Sequence, residues 1–170
     1  MGDPEQEAEA LLRRQGISMV PVPVEALVRD LGLQVVYEPL DDEVSGLLYR
    51  DGPVQVIGVN SRQVAARQRF TIAHELGHWQ LHKGRAVRVD RAVRMNFRHQ
   101  RVRDLEEVSA NKFAAALLMP RSTFTPDRLR GLKPGEGRLE LAVQRLAALY
   151  RVSQQAMTIR LFELGVIDPT

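Results

Sequence analysis

Ala8, Leu11 and Leu12 fall at helical spacing within residues 4–15, between acids at the start and arginines at the end, and Gly16 follows. That pattern predicts a short amphipathic helix whose charges suit its macrodipole. After Pro21 and Pro23, apolar residues recur every three or four positions over 24–31 until Gly32, which predicts a second helix. Residues 33–37, 45–50 and 54–59 are β-branched or aromatic runs separated by Asp41-Asp42-Glu43 and Asp51-Gly52-Pro53. They predict three neighbouring, mostly antiparallel strands, with Asp51-Gly52 as a hairpin turn. Asn60 is placed to cap a long helix over 61–82, ended by Gly84. Val93, Met95 and Phe97 then alternate with Arg94, Asn96 and Arg98, the period of a half-buried edge strand with a charged outer face. Asp104 is expected to cap an alanine-rich helix through Leu118, closed by Pro120. Gly131, Pro134, Gly135 and Gly137 predict a flexible connection, and helices are expected at 139–150 and 153–164. Helices, a small sheet, then helices make an α+β chain: a core over 1–130 and a helix-turn-helix-like pair over 131–170 packed on it.

Composition narrows the chemistry. The 170 residues are 44% hydrophobic and 26% charged, enough for one ordinary core. Apolar stretches are broken well short of the roughly 18 residues that cross a bilayer, and Met1-Gly2-Asp3-Pro4 begins no signal peptide, so a soluble cytoplasmic protein is expected. With no cysteine, disulfides, thiolate metal sites and cysteine nucleophiles are excluded, and any metal must be held by His, Asp or Glu. A net charge of +3 is only mildly basic, far from a dedicated nucleic-acid binder. The positive charge is concentrated over 83–103, where Asp90 is the single acid.

His74-Glu75-Leu76-Gly77-His78 falls inside the long helix. Residues four apart on a helix differ by about 40° in direction, so both imidazoles can bind one ion from one face. Glu75 lies beside that face, where its carboxylate can take a proton from the attacking water and pass it to a leaving amine. The bland alternative is two inert histidines on a packed helix, which is costly for a buried face. A catalytic zinc needs a third protein ligand and an open position. His82 is eight beyond His74 and about a turn too far along, so it is expected to cap the helix or support the site. Position 84 is glycine where a metzincin would have its third histidine. Glu107 is in register with Asn111, Ala114 and Leu118, whereas Glu106 turns about 100° away. On spacing alone Glu107 is a third ligand or a surface acid favouring its helix N-terminus.

The run Arg67-Gln68-Arg69-Phe70-Thr71-Ile72-Ala73-His74-Glu75-Leu76-Gly77-His78-Trp79-Gln80-Leu81-His82, followed by Glu107-Val108-Ser109-Ala110-Asn111-Lys112-Phe113-Ala114-Ala115-Ala116-Leu117-Leu118-Met119-Pro120, closely resembles the ImmA/IrrE family of metallopeptidases. Weaker likeness at Pro23 to Leu27, Ser45 to Leu48, Val59-Asn60 and Asn96 to Arg98 extends it over roughly residues 20 to 165. The resemblance implies metal ligands His74, His78 and Glu107 and a catalytic Glu75. Many members carry an acid where this chain has Ser109. The resemblance implies a zincin-like domain of gluzincin type, using zinc or equally manganese. It further implies site-specific cleavage of a helix-turn-helix repressor in a stress or mobile-element response. The arginine-fringed edge strand would suit an acidic partner segment, or is an ordinary solvated face.

The last two helices leave a choice open. Gln154, Gln155, Thr158 and Arg160 could read DNA, and Val152, Ala156, Ile159, Leu161, Phe162 and Leu164 could instead close the core or dock a partner. Packing is the favoured expectation, with direct nucleic-acid contact and membrane contact not expected. The rival to the enzyme is a non-hydrolytic, metal-stabilised regulator that binds DNA or a repressor through these helices. Tyr49, Tyr150, His99 and several arginines remain open as oxyanion stabilisers.

Overall fold

A computed structural model describes residues 2–51, 53–82, 87–91, 101–132 and 139–168. Helix α1 (Pro4–Arg14) starts at Asp3, whose side chain accepts from the Glu5 amide, and it buries Ala8, Leu11 and Leu12 as its periodicity predicts. Helix α2 (Val24–Asp30) follows Pro23 and buries Val24, Leu27 and Val28. Strands β1 (Leu33–Glu38), β2 (Val44–Tyr49) and β3 (Gln55–Asn60) come next. They are followed by helix α3 (Ala65–Leu81), strand β4 (Val87–Arg91) and helix α4 (Arg101–Leu118). A single 3-10 turn at Arg121–Thr123 leads on towards α5 (Leu139–Tyr150) and α6 (Gln154–Glu163). The class is α+β, as expected. No helix among the described residues is long and apolar enough to cross a membrane.

The four strands lie in the order β1-β3-β2-β4. Pairings of β2 with β3 and with β4 are antiparallel, but β1 runs parallel to β3, so β1 is not a neighbour of β2. Asn60 shows why. It does not cap the long helix: α3 begins at Ala65, with Val64 at its N-cap and no side-chain cap bond. Instead the buried Asn60 side chain donates to the carbonyls of Val44 and Asp41 at 2.8 and 3.1 Å and accepts from the Leu40 and Arg62 amides. One amide thereby holds the β1–β2 connection against the end of β3, a tertiary use that a capping pattern does not reveal.

One further expectation shifts. Helix α4 begins at Arg101, so Asp104 lies inside it and is not its cap. Among the described residues the sheet ends at β4 (Val87–Arg91); the alternating Val93 to Phe97, expected as an edge strand, lies outside them, as do Gly84, His99 and most of the 131–137 connection.

One face of the sheet packs on α3, and α3 packs on α4, which also receives α1. The contacts are close because side chains are missing where they meet. A Cβ at Gly46 would stand 2.4 Å from Thr71 Cγ2, and one at Gly77 would stand 3.2 Å from the Ala110 backbone and 3.1 Å from Phe113. Trp79 Nε1 donates to Gln55 Oε1 and ties α3 to β3.

Helix α6 is fixed by a buried charge. Arg160 is 2% exposed; its Nε donates to the Met119 carbonyl at 3.1 Å and its Nη2 to Glu5 at 2.8 Å, with Glu163 at 3.6 Å. Arg160 is therefore a packing residue with no surface to offer DNA. Ile159, expected in the core, is 51% exposed instead. The Arg160 hydrogen bond holds the Glu5 carboxyl below its ordinary 4.5, against the smaller opposing effect of burial. A lowered folded value stabilises above the unfolded value and is lost as the pH falls through the folded one. Glu5→Gln should cost about 1 kcal/mol at neutral pH, a figure discounted for partial exposure. Denaturant titrations should show the two proteins converging in stability as acid protonates Glu5.

Candidate metal centre

The middle of α3 is buried on every side from Thr71 to His78, so its two histidines enter the site from a helix with no freedom to roll. His74 and His78 lie one turn apart, with His78 Nε2 at 3.0 Å from His74 Nε2. Glu107 arrives from α4: its carboxylate oxygens lie 3.3 Å from His74 Nε2 and 3.5 Å from His78 Nε2. Glu107 is well past the first turn of α4, where an acid gains little from the helix dipole, so its position answers to the histidines rather than to its own helix.

These donors could hold a metal ion. A tetrahedral ion with bonds of about 2.1 Å sets its donors about 3.4 Å apart, close to the spacings seen here. The electron-rich atoms also call for a cation. Asn111 Oδ1 lies 2.9 Å from His74 Nδ1 and can only accept, so Nδ1 carries the hydrogen and Nε2 turns its lone pair towards Glu107. A lone pair and a carboxylate at 3.3 Å repel until a proton or a metal ion sits between them.

Glu75 has no exposed surface, yet it reaches the same cleft as His74 and Glu107. Its Oε1 lies 3.2 Å from where a Cβ on Gly46 would be, so the bare backbone of β2 makes room for the carboxylate. The cleft has a volume of about 720 Å³, within the roughly 300–1,000 Å³ typical of ligand sites.

His82 is the C-cap residue of α3; its Nε2 donates to the Glu106 carbonyl at 3.3 Å and its ring lies 5.4 Å from that of His78, so it neighbours the donor set without belonging to it. Glu106 takes part through its backbone. Ser109, where relatives carry an acid, returns its hydroxyl to the Leu105 carbonyl. Tyr150 is buried, bonded to Thr123 at 2.8 Å and stacked on Phe124, and neither it nor Tyr49 lines the cleft.

Two contributors were missed in the sequence. Asn111 entered only as a register marker four residues after Glu107, although that same spacing places it beside His74. Arg50 gave no signal at all. Its guanidinium donates to the carbonyls of His78 and His82, satisfying the C-terminal end of α3 just beyond the histidines.

Replacing Asn111 with Ala should free the His74 ring to turn and change tautomer. Competition against a chromophoric chelator should show zinc affinity falling about 10- to 100-fold with the fold unchanged by circular dichroism.

Residues 28–162 match the model of the IrrE N-terminal-like domain, peptidase family M78. A search of the curated proteins found no match. Among solved structures, a Mycobacterium tuberculosis transcriptional regulator superposes with a TM-score of 0.60 at 20% identity, covering 95% of this chain and 47% of that one. The chain thus spans about half the length of that regulator, and at this identity the likeness speaks to the fold alone. The match over most of its length establishes that the chain belongs to the IrrE N-terminal-like family of M78 metallopeptidases, with a zincin-like α+β fold.

Proposed function

We propose that this protein is an endopeptidase of the gluzincin type that cuts a helix-turn-helix repressor at a specific bond. The observation that supports it best is the meeting of His74, His78 and Glu107 donor atoms in one cleft, with the Glu75 carboxylate beside them. In this reading His74, His78 and Glu107 hold the ion and Asn111 fixes the ring of His74. Zinc or manganese bound there would polarise the scissile carbonyl and bring the pKa of water down towards neutrality. Glu75 accepts the proton of the attacking water and delivers it to the leaving amine nitrogen. The absent side chain of Gly46 leaves the space that the Glu75 carboxylate occupies.

The sheet offers a way to hold the chain being cut. Among the described residues β4 is an edge of the sheet, and its Asp90 is the partner of Gly46, so that edge runs one strand, about 4.8 Å, from the backbone that makes room for Glu75. An extended segment adding to that edge would pass beside the catalytic carboxylate. A repressor substrate would place the reaction in the cytoplasm. That the structural neighbour is a transcriptional regulator agrees with a role in gene control. The competing picture of a DNA reader loses Arg160 to the interior.

Glu75→Gln should lower cleavage of a helix-turn-helix repressor substrate by about 10²–10⁴-fold, while metal content and melting temperature stay as in the parent. Cleavage that survives this change in a chelator-washed, zinc-reloaded preparation would overturn the mechanism.

A further inference from the structure

Helix α6 turns two different faces to its surroundings. Met157 and Leu161 are fully buried, whereas Ala156, Ile159 and Glu163, recurring at three and four residues, line the cleft that holds His74, Glu75 and Glu107. Ile159 is the telling residue: an aliphatic side chain in a helix that elsewhere buries its apolar groups, it stays half exposed at the cleft. Val108, on α4 beside Glu107, also lines the cleft and is likewise half exposed. Neither is left there by a loose fit of α6. Arg160, between Ile159 and Leu161, anchors the helix to the Met119 carbonyl and to Glu5 through buried bonds, so the cleft-facing surface is preformed.

Charge gives a nucleic acid no hold here. The cleft is lined by Glu75, Glu107 and Glu163 against Arg67, Lys112 and Arg160, three acids to three cations, so it offers no surplus of positive charge to a phosphate backbone. Its continuity with the donor set makes it a place for the side chain that flanks a bond held there.

We propose that α6 is the far wall of a substrate subsite, which takes a large aliphatic or aromatic side chain next to the scissile bond against Ile159, Ala156 and Val108. The assignment rests on the peptidase reading and adds to it the side-chain class the site selects. The helix-turn-helix-like pair thereby belongs to the peptide-binding apparatus.

Amino-acid hydroxamates, which chelate an active-site metal and offer one side chain to the neighbouring subsite, test this by calorimetry on the zinc-loaded full chain. Leucine and phenylalanine hydroxamates should bind about ten-fold or more tightly than glycine or aspartate hydroxamate. Ile159→Ser, which removes the apolar contact, and Ile159→Trp, which fills the space, should each bring the leucine-to-glycine ratio below about three. The outward-facing Leu141→Ser on α5 should leave the ratio as it was, with melting temperatures reported for all three. Equal binding of the glycine and leucine compounds, or a preference untouched by both Ile159 variants, overturns the subsite and leaves the peptidase standing. A zinc-loaded protein that binds no hydroxamate overturns both.

Discussion

Where α3 crosses α4, Gly77 and Ala110 meet backbone to backbone, and the ligand geometry depends on that approach. Glu107 lies one turn before Ala110 on α4, and His74 and His78 flank Gly77 on α3, so the distance between the helix axes sets the distance between the carboxylate and the imidazoles. A methyl group at position 77 would meet Phe113 and Ala110 at about 3.1 and 3.2 Å, tighter than ordinary packing. The glycine within the histidine motif therefore answers to the position of Glu107, although it carries no donor itself.

Around that crossing, several groups of the site have a neighbour that limits their motion. Arg50 satisfies carbonyls at the end of α3, Asn111 holds a ring nitrogen of His74, and the missing side chain of Gly46 leaves a slot for Glu75. The supports come from β2, its following residue and α4, so the sheet and both helices must be assembled before the donors point at one another. Such rigidity suits a site that has to present several groups at once.

Features carried by local pattern were legible in the sequence. The charge-graded α1 could be read from its apolar spacing, its acids and its arginines, and the spacing of the histidines put them on a common face. What failed depended on contacts remote in sequence. Asn60 looked like a cap because it precedes a helical pattern, but apart from the Arg62 amide the partners of its side chain lie 16 to 20 residues away, from the β1–β2 connection to the start of β2. For the same reason the parallel pairing of β1 with β3 left no mark, since alternation does not say which strand is the neighbour. Arg160 and Ile159 were misassigned in opposite senses, because hydrophobicity alone cannot foresee an arginine buried by Glu5 and a carbonyl, or an isoleucine kept at a cleft.

The ion pair of Glu5 with Arg160 joins residues 155 positions apart, and it unites the first helix with the helix that walls the cleft. During synthesis the histidines and Glu107 emerge well ahead of α6, which cannot be fastened until Arg160 has left the ribosome and found an α1 that has long been waiting. The power to hold an ion and the surface that chooses what lies beside it are thus completed at separate moments in the life of one nascent chain.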